Sequence, residues 1–166
     1  MTAPQKLSPP PSVGWICWCR AWPDGKSSPR PVLIARVFHD LNGEIYVLAV
    51  YGTGQNTAPD LVRPHELLAE ADVHGSSMGI SDDTKFDFKS VLPFKWDHAT
   101  FGAITGSSVR RGFVTGAWKE KAIELFKLHG PAPLPAPPAP RAPVVTVRQK
   151  RTIERPSNDP DPKTGT

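Results

Sequence analysis

An arginine set between two prolines and a threonine set between two glycines are the residues of this chain whose types and spacing invite chemistry. Arg30 lies between Pro29 and Pro31, and a following proline biases its backbone towards an extended conformation. Thr53 lies between Gly52 and Gly54, where missing side chains let a ligand approach the backbone closely. Between the two stands Asn42-Gly43, the strongest short-range signal for a β-hairpin. With a two-residue turn, paired residue numbers add to 85, so Arg30 faces Gln55 and Thr53 faces Val32. Arg30 and Thr53 are then diagonal neighbours about 7–8 Å apart. With a four-residue turn over residues 40–43 the numbers add to 83, and Arg30 faces Thr53 directly. An odd register puts the two on opposite faces. The even registers gather a guanidinium, a hydroxyl and an amide on one patch, a set suited to an anion and above all to a phosphodiester. Arginine offers a planar fork of donors matching phosphate oxygens, and its charge does not titrate away. The plain alternative is that Arg30 solvates a strand end and Thr53 closes a turn.

Positioning these residues requires strands, and the flanking pattern supplies them. Residues 14–22 (GWICWCRAW) are aromatic and β-favouring and read as a first strand. Residues 23–28 form a loop containing Asp24-Gly25, a turn signal. Residues 31–39 read as a second strand, buried on both faces apart from Arg36, and residues 44–51 as a third. Further on, residues 61–72 include a short helical or extended piece, with Pro64 opening a single turn at 65–69. Residues 85–92 alternate Phe86 and Phe88 with Lys85, Asp87 and Lys89, a half-buried strand with one wet, charged face. Residues 101–104 are expected as another strand, followed by a glycine-bearing stretch with Arg110-Arg111. Residues 117–128 place Trp118, Ala122, Leu125 and Phe126 at helical spacing and stop at Gly130, an amphipathic helix. The fold class expected is mainly β: a small antiparallel barrel with a C-terminal amphipathic helix.

Proline divides the 166 residues. Of 20 prolines, 10 lie from Pro131 onward and 7 before Val32. A flexible segment over 1–13, a folded domain over 14–130 and a disordered proline-rich tail over 131–166 follow from this. Residues 1–130 carry 14 Lys/Arg against 13 Asp/Glu, while the tail carries 6 against 3. The basic pI of about 9.2 therefore belongs mostly to the tail. No apolar run approaches the roughly 18 residues of a membrane span, and the N-terminus lacks the apolar stretch of a secretory signal, so a cytoplasmic protein is expected. Cys17 and Cys19, two apart in a strand, point to one face and read as small buried hydrophobes. The five histidines show no metal-ligand spacing, and no phosphate loop, HExxH or nucleophile elbow is present.

The order GWICW, a loop, PRPVLIARV, and a hairpin into VLAVYGTGQN resembles the PemK/MazF family of bacterial toxins. TKFDFKSVLPF looks like the lysine-bearing strand of its longer members. The resemblance implies an SH3-like β-barrel acting as a metal-independent endoribonuclease, without cofactor, homodimeric and inhibited by a cognate antitoxin protein. Arg30 and Thr53 match the two catalytic positions of the family. The ribose 2′-hydroxyl would attack the adjacent phosphorus, leaving a cyclic phosphate and a free 5′-hydroxyl. Arg30 would stabilise the phosphorane and Thr53 hold a non-bridging oxygen, with Asp24, Asp87 and His98 as candidates for the base. On single-stranded RNA, Gln55, Lys85, Lys89, Arg110 and Arg111 would contact the backbone, and Trp22 or Tyr51 would stack bases. Cys17, Cys19 and Arg20 in the first strand, the short 23–28 loop and the tail depart from the family pattern. They motivate an alternative, a non-catalytic SH3-like binding module of phage or mobile-element origin.

Overall fold

The computed structural model describes residues 7–102 and 108–132. The expected tail from residue 133 onward and residues 103–104 of the expected 101–104 strand lie outside the described residues. Six antiparallel strands form one sheet that curls into a half-barrel. They are β1 (Trp15–Cys19), β2 (Arg30–His39), β3 (Ile45–Thr53), β4 (Glu66–Ala69), β5 (Thr84–Lys95) and β6 (Arg110–Phe113), in the spatial order β4-β5-β3-β2-β1-β6. Among the described residues three α-helices accompany them, α1 (Ala71–Met78), α2 (His98–Phe101) and α3 (Gly116–His129).

The β2–β3 hairpin forms where Asn42-Gly43 predicts it. The Asp40 carboxylate accepts from the backbone N–H groups of Asn42 and Glu44, and Gly43 takes a positive φ of 75°. Next to this turn the register is the odd one, with His39 opposite Ile45 and Phe38 opposite Tyr46. A bulge between Ile34 and Arg36 then absorbs one residue, and beyond it Ile34 faces Ala49 and Val32 faces Tyr51. The far half of the hairpin thus runs in the register whose numbers add to 83, although its turn is not the four-residue one.

Side chains alternate between two cores, one on each face of the sheet. Ile16, Leu33, Val50, Phe86 and Phe88 face α1 and α3, meeting Met78, Trp118, Ala122 and Leu125. Cys17, Cys19, Val32, Ile34, Val47 and Ala49 face the other way, meeting Leu7, Trp96 and Phe101. Both cysteines are fully buried on one face, as their spacing requires, and burial pushes the Cys17 thiol up to about 12 and the Cys19 thiol up to about 11. Leu7 lies within the segment expected to be flexible, yet it is buried, and Pro9 O accepts from Trp96 Nε1 at 3.2 Å.

Sequence and structure part company outside the hairpin. Of the two readings of residues 61–72, helical or extended, the extended one holds at Glu66–Ala69, which form β4 in place of a turn, and the helix comes later as α1. Residues 71–78 (ADVHGSSM) have weak helix propensity, with Gly75 in the middle. Tertiary contacts carry this helix instead. The Asp83 carboxylate accepts from Ala71 N–H, and a Cβ on Gly112 of β6 would collide with the Met78 backbone. In that position α1 packs on both β4 and β6, the two unpaired edges of the sheet. Phe101 ends helix α2 rather than starting a strand, because Asp97 caps that turn by accepting from Thr100 N–H at 2.8 Å. Arg110 and Arg111 belong to β6. Strand β5 continues past its expected end at residue 92 to Lys95, through Pro93, where its β4 partner has already ended.

Candidate functional site

The bulge in β2 decides where Arg30 points. Continuing the Val32–Tyr51 pairing two residues sets Arg30, the first residue of β2, opposite Thr53, the last of β3. On the flanking strands Cys19 pairs with Arg30 and Lys85 with Thr53. Cys19, Arg30, Thr53 and Lys85 therefore form one row across β1, β2, β3 and β5, on one face of the sheet. Arg30 and Thr53 also both border a cavity of about 170 Å³ that Trp18, Gly52, Ile80 and Thr84 help to line. Gly52 has a packing reason as well, since a Cβ there would strike the Pro31 carbonyl and the Phe86 ring.

The loop between β1 and β2 closes on this row. Arg30 Nε donates to Asp24 Oδ2 at 2.6 Å, and Lys26 N–H donates to Asp24 Oδ1 at 3.0 Å. Desolvation raises the Asp24 carboxyl, but the Lys26 N–H and the Arg30 guanidinium outweigh it and hold the group below the usual carboxylate range. Only part of the arginine fork is used. Arg30 Nη2 is buried and has no hydrogen-bond partner among the described residues. A buried donor left unmade costs about 1–3 kcal/mol, so the guanidinium retains unspent capacity for an acceptor. Thr53 Oγ1 accepts from Gln55 N–H at 3.2 Å, which leaves the hydroxyl hydrogen available to donate.

The remaining expected residues scatter around this pair. Trp22 packs on Tyr51 (ring centroids 4.9 Å apart) and Phe94 (5.5 Å), half-buried against the second core. Gln55 is exposed in the turn after β3, beyond the pairing that a sum of 85 would have given it. Lys89 is exposed on β5. Arg110 stacks over Trp15 and Phe113, pairing with Cys17 on the far edge strand, and the Arg111 side chain is exposed beside it.

Lys85 differs most from expectation. Its position on β5 is not wet, although Lys89 on the same face is: Lys85 is only 7% exposed where β4 pairs alongside β5. Its ammonium donates to Glu66 Oε2 at 3.0 Å. Desolvation raises the Glu66 carboxyl, yet the Arg63 N–H and Lys85 together hold it below its ordinary range. Of the candidates for a base, Asp24 touches Arg30. Asp87 accepts from Lys89 N–H and Ser90 Oγ and lies 3.7 Å from His65 Nε2. His98 is exposed on α2. His65, Glu66 and Asp87 present three possible metal-ligand atoms within 4.8 Å of one another, but the Lys85 ammonium already supplies a cation there. Sequence reading missed the Asp24–Arg30 and Lys85–Glu66 partnerships. The first was within reach, since a carboxylate six residues before a strand-end arginine meets it by a local return of the loop. The second depends on the pairing of β4 with β5, which no local signal announces.

Fold and site together define a curled antiparallel β-sheet protein with a partly satisfied arginine facing a threonine at one end of its central hairpin. No protein-family model and no curated protein sequence matches the chain. Among the described residues no helix is long and apolar enough to cross a membrane.

Proposed function

We propose that the protein is an endoribonuclease of the PemK/MazF type, an SH3-like barrel that cleaves single-stranded RNA in the cytoplasm without a metal. The observation that carries the reading is the buried Nη2 of Arg30, without a hydrogen-bond partner among the described residues, on an arginine that borders the same cavity as Thr53. A phosphodiester oxygen entering the cavity they border would satisfy that donor, and Thr53 would donate to a second non-bridging oxygen. As the 2′-oxygen bonds to phosphorus, charge grows on these oxygens, and donors already aimed there stabilise it without reorganising. The P–O5′ bond breaks, leaving a 2′,3′-cyclic phosphate and a 5′-hydroxyl.

Asp24 is the group we assign to the 2′-hydroxyl proton. While it holds Arg30 it is a weak base. Once phosphate takes the guanidinium, the interaction that lowers its pKa weakens and its basicity rises. The 5′-oxygen receives its proton from water or from the protonated Asp24. Exposed Gln55, Lys89, Arg110 and Arg111 and the half-buried Trp22 are the residues left to contact the chain on either side. A homodimer restrained by a cognate antitoxin protein completes the proposal.

The Asp24–Arg30 ion pair also favours a second reading, in which Arg30 is a strut for the loop and the protein is a binding module without catalysis. One assay separates them. Purified protein incubated with single-stranded RNA in EDTA should cleave it, and Arg30→Ala and Thr53→Ala should not. Absence of cleavage by the natural protein, or equal cleavage by the variants, would leave the binding module standing.

A further inference from the structure

No two histidines of the sequence stand at a metal-binding spacing, yet the fold sets two of them side by side. His65 comes one residue before β4, and His129 is the last residue of α3. Their rings meet edge to face, with centroids 6.1 Å apart. Glu66 opens β4 and pairs directly with Asp87 of β5. His65, Glu66 and Asp87 each offer a ligand atom, and the three atoms lie within 4.8 Å of one another. His65 Nε2 is 3.7 Å from Asp87 Oδ1. That is too long for a hydrogen bond and close to the roughly 3.3 Å between two ligands of one tetrahedral zinc ion.

Neighbouring groups hold these side chains as the outer partners of a metal site do. Asp87 Oδ1 accepts from Lys89 N–H at 2.9 Å, and Oδ2 accepts from Ser90 Oγ at 2.7 Å. The His65 carbonyl accepts from Phe88 N–H at 3.0 Å, which fastens its backbone to β5. Such bonds orient ligands before an ion arrives. Negative charge is also left over. Lys85 and the Arg63 N–H both donate to Glu66 Oε2, so Glu66 Oε1 has no partner among the described residues. One ammonium balances one carboxylate, while the two donors to Asp87 are neutral. The His65 and Asp87 side chains are 16% and 23% exposed, which leaves the cluster open to an ion from solvent.

We infer that His65, Glu66, Asp87 and His129 bind one zinc ion, which fastens the end of α3 to the β4–β5 edge of the sheet. Imidazole nitrogens with carboxylate oxygens suit zinc, whereas magnesium and calcium take oxygen ligands. His129 supplies the fourth ligand by turning about its side-chain bonds, because α3 already brings its ring against His65. The ion is structural and stands apart from the RNA reading, since none of the four ligands lines the cavity that Arg30 and Thr53 border. Two hydrophobic cores hold the sheet without it, so EDTA removes the ion without unfolding the chain.

Isothermal titration of the full chain, stripped with EDTA and desalted, tests the site with zinc sulfate alone. One equivalent should bind, and zinc at about 100 times its Kd should raise the thermal midpoint by about 5–10 °C. His65→Ala, Asp87→Asn and His129→Ala should each weaken binding by more than about tenfold, the smallest loss typical of a merely supporting residue. Asp87→Asn keeps the shape and an acceptor for Lys89 N–H, so its effect does not come from failure to fold. His39→Ala, which removes an exposed histidine elsewhere, should bind like the natural protein. Cobalt(II) in place of zinc should give the intense visible bands of a four-coordinate site, diminished in His129→Ala. Absence of zinc binding, or equal binding by His65→Ala, would overturn the proposal. So would an unchanged cobalt spectrum in His129→Ala, or weakening by His39→Ala as large as that by His65→Ala.

Discussion

Two cation–carboxylate pairs stand on the same face of this sheet and do opposite things. Lys85–Glu66 is nearly closed to solvent, with side chains 8% and 7% exposed, and each partner answers the other. Arg30–Asp24 is more open, at 17% and 20%, and leaves one arginine nitrogen buried without an acceptor. The first pair lies where β4 pairs with β5, so two strands hold both groups. The second joins a strand end to a loop. A buried pair is costly to break because its partner is left charged and alone, whereas a loop carboxylate can be exchanged for another anion. Position in the sheet, more than residue type, separates the closed pair from the one with a donor to spare.

Substitutions can break or sharpen this contrast. The largest effect is expected at Arg30. Arg30→Ala should lower RNA cleavage by about a thousandfold while the urea midpoint moves little, and a large loss of stability with activity retained would reverse the assignment of the two pairs. Lys85→Met should do the opposite. Leaving Glu66 buried and unpaired costs about 3–5 kcal/mol, read in urea unfolding, and adding Glu66→Leu should restore most of it. Thr53→Val keeps the shape and removes one donor, so cleavage should fall by about a hundredfold with unchanged folding. At Asp24 the prediction is split. Asp24→Asn frees Arg30, so binding of a short single-stranded RNA should tighten by about twofold to fivefold while cleavage drops, and tighter binding with faster cleavage would remove Asp24 as the base.

Acid gives the mildest test. Glu66 titrates below its ordinary range in the folded chain. The stability it contributes is therefore full above the unfolded carboxylate pKa and is lost as pH falls through the lower, folded value. Urea midpoints measured from neutral pH into that acid range should decline, and Lys85→Met should flatten the decline. An unchanged slope in that variant would mean that Lys85 is not what lowers Glu66.

Much of the hairpin was legible beforehand because its signals are local. Asn42-Gly43 marks the turn, and two apolar runs on either side leave few ways to pair. The expected helix over 117–128 corresponds to α3, since Trp118, Ala122 and Leu125 recur at its own period. Strand β4 and helix α1 were not legible. Four residues (ELLA) are too few to show a period, and α1 exists because two sheet edges need covering. Lys85 was misjudged for the same reason, as alternation shows which side chains share a face but not what covers that face.

Arg30 and Thr53 show the division most plainly. Their residue types, their proline and glycine neighbours and their placement at the ends of two hairpin strands were determined by the sequence alone, because each is a matter of short-range backbone preference. Whether they would meet was not. The turn at residues 40–44 starts the hairpin in the odd register that separates them, and the bulge at Ala35 brings them back to one face. That bulge sits just past Leu33, where the β1–β2 pairing ends, and borders a cavity beside α3. Packing across two sheet faces selected it, and no run of neighbouring residues encodes such a choice.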